Sequence, residues 1–355
     1  MKKNAGRLSK KLFAAMMAGT MMTAMIGANV YATGGGSTAN PQQNVTITKK
    51  ITKEANVYTP STSFTFTVEP ATGTLPEGIT AGPEGGVTFA SGAGTITSTP
   101  ILTDGTSNIN TTVGTTNLTV HEDAFSKDNP GVYRYVVTET EGDYEGITYD
   151  TSEKYFDVFV NNTTGVYAYT FTNANGTEKA DGTFTNDYTN NGAGSATHDI
   201  TLEKIVKGDQ GDLDADFEFQ ITINGATGEQ YQVVFSDPTK KAITLTSGTQ
   251  ATIALGHNDT ATIYGLSASD TYTITETAAN QDGYDTEIVV GSGTADKDGT
   301  VSGTISADTN ITVTNTRNAS APTGIAMTYG PYALMVALAG GMSVLFLRRR
   351  NREDY

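Results

Sequence analysis

Along most of the chain, apolar residues recur at every second position in short runs separated by Gly, Asn, Asp and Pro clusters. A period of two marks a strand with one buried face, because successive side chains point to opposite sides of the pleated backbone. It predicts strands over 44–51, 62–69, 131–139, 154–161, 166–173 and 182–188. A second set is predicted over 198–206, 216–223, 231–235, 242–246, 250–254, 259–264, 270–276, 283–290 and 309–315. Many short strands with frequent turn signals and no helical period predict an all-β chain of sandwiches. The stretch TNNGAGSAT, residues 189–197, breaks the pattern in two. The halves then repeat one plan in order: VTITKKI and ITLEKIV open, FTFTV and FEFQI follow, VVTET and TITET come late, GTFTND and ITVTNT close. An order-preserving repeat of about domain length means tandem domains, here 44–189 and 198–318 joined by a linker at 190–197.

The same alternation exposes polar residues on apolar faces. In the first copy Lys49 shares a face with Val45, Ile47 and Ile51, Glu139 shares one with Tyr133, Tyr135 and Val137, and Asn186 lies between Phe184 and Tyr188. In the second, Lys204 sits with Ile200, Leu202 and Val206, Glu276 with Tyr272 and Ile274, and Asn315 follows Ile311 and Val313. Burying such groups without partners costs several kcal/mol for a charge and roughly 1–3 kcal/mol for an amide. A buried Lys–Glu pair beside a hydrogen-bonded Asn accounts for the pattern, as do strand ends that emerge into water. A third reading uses the burial chemically. Desolvation neutralises both the amine and the acid, leaving an amine nucleophile, an Asn carbonyl as electrophile and a Glu that moves protons. It predicts isopeptide bonds Lys49–Asn186 and Lys204–Asn315, formed once, with Glu139 and Glu276 as the catalytic acids.

Composition sharpens this in three places. The chain contains no cysteine, so a redox-independent cross-link takes the reinforcing role that disulfides have in exported proteins. It has 22 Lys and Arg against 38 Asp and Glu, a net charge of −16. The two ends hold nine of those bases and two of those acids, leaving a body with 13 bases, 36 acids and a charge of −23. Such a surface argues against nucleic acid or anionic lipid as partners. His121, His198 and His257 lack metal-ligand spacing,, and the acidic runs at 212–218 and 295–301 lack the Gly and Glu of a calcium loop,. No metal or cofactor is expected, and no Ser–His–acid or Cys–His set points to turnover on an external substrate.

The ends carry processing signals. Residues 1–32 join the basic MKKNAGRLSKK to an apolar run and close on Val30 and Ala32, predicting a signal peptide cut after Ala32,. Residues 33–43, TGGGSTANPQQ, read as a flexible leader. Residues 319–355 hold SAPTG, an apolar stretch from Ile325 to Leu347 long enough to span a bilayer, and the basic stop RRRNREDY,.

In their order, VTITKK, STSFTFTVEP, YRYVVTETEG, GITYDTSEKYFDVFV and GTFTND, then ITLEKIVKG, DFEFQITI, YTITET and ITVTNT, resemble the shaft (major) pilins of Gram-positive bacteria. The likeness is to the two-domain streptococcal backbone type and runs over essentially the whole chain. It implies two immunoglobulin-like sandwiches stacked end to end. The family's isopeptide triads fall on Lys49, Glu139, Asn186 and on Lys204, Glu276, Asn315, the residues already picked by their faces. SAPTG resembles the family's sorting pentapeptide, with Pro322, Thr323 and Gly324 in place while Ser320 and Ala321 depart from the usual LPXTG. The resemblance implies cleavage between Thr323 and Gly324 by a sortase and transfer of the Thr323 acyl group to a lysine of the next subunit. It puts that lysine at Lys179, in the polar turn NGTEKADGTFTND, although the YPKN pilin motif is absent. Implied partners are sortase, identical subunits, minor tip and base pilins and peptidoglycan; a host ligand is left open. The chain so read is an exported structural subunit, first membrane-tethered and then part of a pilus and cell wall, and not an enzyme. The alternative is a sortase-anchored wall protein or adhesin that never polymerises.

Overall fold

The computed structural model describes residues 45–90, 92, 94–103, 105, 108–189, 197–319 and 323–350, the last span with side chains at 332 and 334–346. The signal peptide with its cut at Ala32, the leader, linker residues 190–196 and Ser320 to Pro322 lie outside the described residues.

Ten strands form the first domain: β1 (Val45–Lys53), β2 (Ser63–Pro70), β3 (Ile79–Ala81), β4 (Val87–Phe89), β5 (Thr95–Thr97), β6 (Ile109–Val120), β7 (Gly131–Glu139), β8 (Lys154–Asn161), β9 (Gly165–Thr172) and β10 (Thr183–Tyr188). Ten more form the second: β11 (Thr197–Lys207), β12 (Phe217–Asn224), β13 (Gln230–Phe235), β14 (Ile243–Thr246), β15 (Ala251–Leu255), β16 (Thr260–Ser267), β17 (Thr271–Glu276), β18 (Asp285–Val290), β19 (Thr300–Thr304) and β20 (Thr309–Thr316). Strands β3 to β6 and β19 fall where the apolar alternation predicts none. In β6, INTTVGTTNLTV, the inward positions are Thr111, Thr116 and Leu118. Threonine fits a pleated, half-buried surface as well as valine does, so the strand forms without an apolar signature.

In the first domain one sheet runs β10-β1-β6-β4 and the other β5-β2-β7-β8-β9, with β3 also beside β7. The second domain repeats the centre of each, β20-β11-β16 in one sheet and β12-β17 in the other. In both domains the first strand lies parallel to the last. A hairpin cannot make a parallel neighbour, so the whole intervening domain serves as the crossover. Between the sheets, Phe66, Val137, Phe156 and Phe184 are buried in one core, and Leu202, Phe219, Ile221 and Val313 in the other. Burial of each such side chain contributes about 1.5–3 kcal/mol.

The domains meet through side chains from both. The hydroxyl of Tyr188, the last residue of β10, lies 3.0 Å from that of Ser267 and donates to Glu229 at 3.3 Å. Tyr58 and Thr244 share a 2.8 Å hydroxyl contact, and Tyr264 packs against the first core. Beneath the joint, the Tyr231 hydroxyl lies 2.9 Å from Glu229 and 3.0 Å from Asp270. One hydroxyl carries one proton and can donate to only one carboxylate, so the second contact is favourable when Asp270 is protonated. Burial, reinforced by the charge of Glu229, pushes Asp270 up to about 7. The fold therefore prefers the acid form. Its contribution is full below the ordinary carboxylate value and is lost as pH rises through about 7,. Asp270→Asn should raise the calorimetric Tm at pH 8 by roughly 2–4 °C and leave it nearly unchanged at about pH 3, below the ordinary carboxylate value.

The chain's last element is helix α1 (Thr323–Arg350). Along it Leu334, Val336, Leu338 and Phe346 are exposed. Among the described residues no helix is long and apolar enough to cross a membrane, so the bilayer span from Ile325 to Leu347 stands on the sequence.

Candidate cross-linking sites

Each site starts from the parallel strand pair. Lys49 on β1 stands opposite Phe184, and Asn186 on β10 opposite Ile51; Lys204 on β11 stands opposite Val313, and Asn315 on β20 opposite Val206. The lysine and asparagine are thus offset by two positions in both domains. An offset of two keeps both side chains on one face, as diagonal neighbours. The glutamate comes from the facing sheet: Glu139 ends β7 opposite Phe66, and Glu276 ends β17 opposite Phe219.

In the first domain Lys49 Nζ donates to Glu139 Oε2 at 2.7 Å and Asn186 Nδ2 donates to Oε1 at 2.8 Å. The carboxyl group bridges amine and amide. Asn186 Oδ1 accepts the Asp150 N–H at 2.8 Å. In the second domain Lys204 Nζ and Asn315 Nδ2 both donate to Glu276 Oε1, at 2.8 and 2.7 Å. Glu276 Oε2 is buried with no hydrogen-bond partner among the described residues, and Asn315 Oδ1 accepts the Thr286 hydroxyl at 2.8 Å. Both lysines and both asparagines are fully buried, with Glu139 and Glu276 close to it.

Burial pushes Lys49 down to about 8 against the attraction of Glu139, and Lys204 down to about 8 against that of Glu276. Burial also pushes Glu139 up, against the pull of Lys49. All three shifts favour neutral forms. Aromatic rings shield the amines from water: Phe64 lies 4.8 Å from Lys49 Nζ, and Phe217 and Phe219 lie 4.3 and 5.7 Å from Lys204 Nζ. At Lys49 the register between β1 and β6 slips by one residue, a bulge of the kind that re-aims a side chain. Its opposite number, Gly114, has no room for a Cβ, which would lie 2.5 Å from Ile96 Cγ2.

Chemically, each cluster gathers an amine, a side-chain amide and a carboxyl group that hydrogen-bonds to both. A carboxyl touching both nitrogens can carry the proton from the nucleophile to the leaving ammonia. Among the described residues no group of three or more His, Cys, Asp or Glu is arranged to hold a metal.

Lys179 lies elsewhere, exposed on the turn between β9 and β10. The turn is fastened by Asn173 N–H to the Glu178 carbonyl and Ala180 N–H to the Phe171 carbonyl, both 3.0 Å. Gly176 closes it at φ +69°, where a Cβ would lie 2.8 Å from Arg134 Nη2. Arg134 in turn forks onto both oxygens of Asp157 at 2.8 and 2.7 Å and donates to the Ala174 carbonyl. The alternation of YRYVV puts Tyr133 on the face of Tyr135, and both pack against the first core, yet the other face of the strand is covered as well. Tyr133 is half-buried, while Val132 and Arg134 are buried on the opposite face of β7. Lys53, buried on the same face as Lys49, is a further charge that the sequence reading passes over. It also passes over two groups in the sites themselves. Thr286 has a signal, since it shares the inward face of β18 with Ile288; the Asp150 amide, being backbone, has none. Thr323 and Gly324 open α1, and Pro322 lies outside the described residues.

Residues 45–189 match the family model for the Spy0128-like isopeptide containing domain (FctA), and residues 198–317 match one described as a domain of unknown function, DUF7601. A pilin of Streptococcus pyogenes serotype M1 is 26% identical over 372 positions, spanning 96% of this chain and 99% of that protein. Among solved structures, a major pilin from S. pyogenes is similar with a TM-score of 0.54 at 19% identity, covering 78% of this chain and 99% of that one. The major pilin T-13 from S. pyogenes serotype GAS131465 gives 0.50 at 23%, covering 78% and 98%. At these identities the structures speak for the two-domain β fold.

Proposed function

We propose that this chain, whose residues 45–189 form a Spy0128-like isopeptide containing domain and which aligns with a streptococcal pilin along nearly all its length, is a major pilin. It is exported, reinforced in each domain by a Lys–Asn isopeptide bond that the domain makes on itself, and polymerised by sortase into a pilus shaft. One observation carries this reading. In both domains a buried lysine and asparagine, on the first and last strands, donate to one buried glutamate from the facing sheet. A fold that needed only stability would do as well with apolar residues there, since a buried ion pair contributes little net stability against well-packed hydrophobes.

In this reading sortase cuts between Thr323 and Gly324 and passes the acyl group to Lys179 of the next subunit. The exposed apolar side chains of α1 suit a precursor held in the membrane until that cut. Wall extracts of cells producing the chain should show an SDS-resistant ladder, and Thr323→Ala should abolish both ladder and wall attachment. A single wall-linked species that depends on Thr323 would instead favour the anchored monomer.

A further inference from the structure

We infer that Thr286 is a catalytic residue of the second cross-link, donating the hydrogen bond that stabilises the oxyanion on Asn315 during attack by Lys204. The inference rests on the isopeptide reading of that site. Thr286 stands opposite Asn315 in the antiparallel pairing of β18 with β20, and both residues are buried. Its Oγ1 donates to Asn315 Oδ1 at 2.8 Å. The direction of that proton is set from behind: Oγ1 accepts the Asn280 N–H at 3.0 Å, while Asn280 Oδ1 accepts the Thr286 N–H at 2.9 Å. Asn280 adopts φ +57° to do so, a left-handed backbone that asparagine tolerates better than most residues. With an acceptor site of the hydroxyl engaged by Asn280, its single proton goes to Asn315.

The step balances without a co-reactant. The Lys204 Nζ lone pair forms the bond to Asn315 Cγ, and the carbonyl π pair moves onto Oδ1 as an oxyanion. Glu276 takes a proton from Nζ and delivers one to Nδ2. The oxyanion then re-forms the carbonyl as the Cγ–Nδ2 bond breaks and ammonia leaves. The negative charge of the addition develops on Oδ1, in a dry site, where a donor already in place lowers the barrier most. The first domain meets the same need differently. There β10 is the edge strand of its sheet and is met on its outer side by an isolated bridge from Thr148 to Asp187 in place of a strand like β18, and the Asp150 N–H contacts Asn186 Oδ1 at 2.8 Å. The Asp150 carboxylate, held by the N–H groups of Thr185 and Ser152, each at 3.0 Å, pins that amide in place. The first domain therefore serves as an internal reference for any change at Thr286.

The test is a pulse of cell-free synthesis of the full chain. Samples are quenched over time and digested, and the peptides joined through Lys49–Asn186 and Lys204–Asn315 are quantified by mass. Thr286→Val should slow the second link by roughly 10²–10³-fold and leave the first at its wild-type rate, whereas Thr286→Ser should stay within a few-fold of wild type. If the Val variant fails to fold, Thr286→Cys replaces it, with a weak donor of similar size and a slowing between those of Ser and Val. Wild-type rates in Val or Cys, or equal slowing of both links, would overturn the role of Thr286. Absence of both links in the wild-type chain would instead remove the isopeptide reading itself.

Discussion

The intact mass of the chain from Thr33 to Thr323 should fall short of its calculated value by two molecules of ammonia, and Glu139→Ala and Glu276→Ala should each restore one. The reason is the position of the carboxyl groups. Each glutamate touches both the amine that must lose a proton and the amide nitrogen that must gain one. Without it, the amine and amide remain close but proton transfer has no carrier. Full calculated mass in the wild-type chain would end the isopeptide proposal. The proposed bonds also predict a large effect on stability. Each closes a loop of more than a hundred residues, which by chain entropy is worth about 4–5 kcal/mol. Asn186→Ala tests this, because it removes the electrophile and leaves the Lys49–Glu139 pair, with the loss of the Asp150 N–H contact adding to the effect. Its denaturant midpoint should drop by the corresponding amount, and an unchanged midpoint would show that the loop-closure argument does not apply.

Replacing Lys179 by alanine should collapse the SDS-resistant ladder to a single wall-linked species. The side chain is exposed, and the turn that presents it is held by main-chain bonds and by Gly176 on Arg134. The variant should therefore fold normally and show the same loss of two ammonia molecules as the wild type. Lys179→Arg should behave like the alanine variant, because a guanidinium stays protonated and cannot attack an acyl-enzyme. A ladder that survives both substitutions would move the acceptor to another lysine.

Much of this was legible because buried polar groups stand out against a strict alternation. Lys49, Glu139 and Asn186, and their counterparts in the second copy, interrupt apolar faces, and the structure brings each set within hydrogen-bond distance. What escaped did so for physical reasons. Strand β6 fills its inward positions with threonine, which also decorates exposed faces and turns throughout the chain, so the alternation carries no contrast there. Thr286 escaped for the same reason, although Ile288 marks its face. The Asp150 amide has no letter in the sequence. Arg134 escaped because a strand covered on both faces has no polar face to betray it, and nothing in YRYVV announces the turn at 173–176 that covers it.

The offset pairing of first and last strands also decides how the chain responds to being pulled. Suppose a neighbour is joined at Lys179 and the chain is itself joined onward at Thr323. Tension then enters seven residues before Asn186, runs through β10 and the linker to Lys204, crosses to Asn315, and leaves through the segment to Thr323. The residues from 205 to 314 form a closed loop beside that line, and nearly all of the first domain before Lys179 hangs off it. Force therefore meets covalent bonds before it can peel any sheet apart. A filament of such subunits should hold its length under loads that unravel ordinary β-sandwiches, yielding only the slack of the short segments between cross-links.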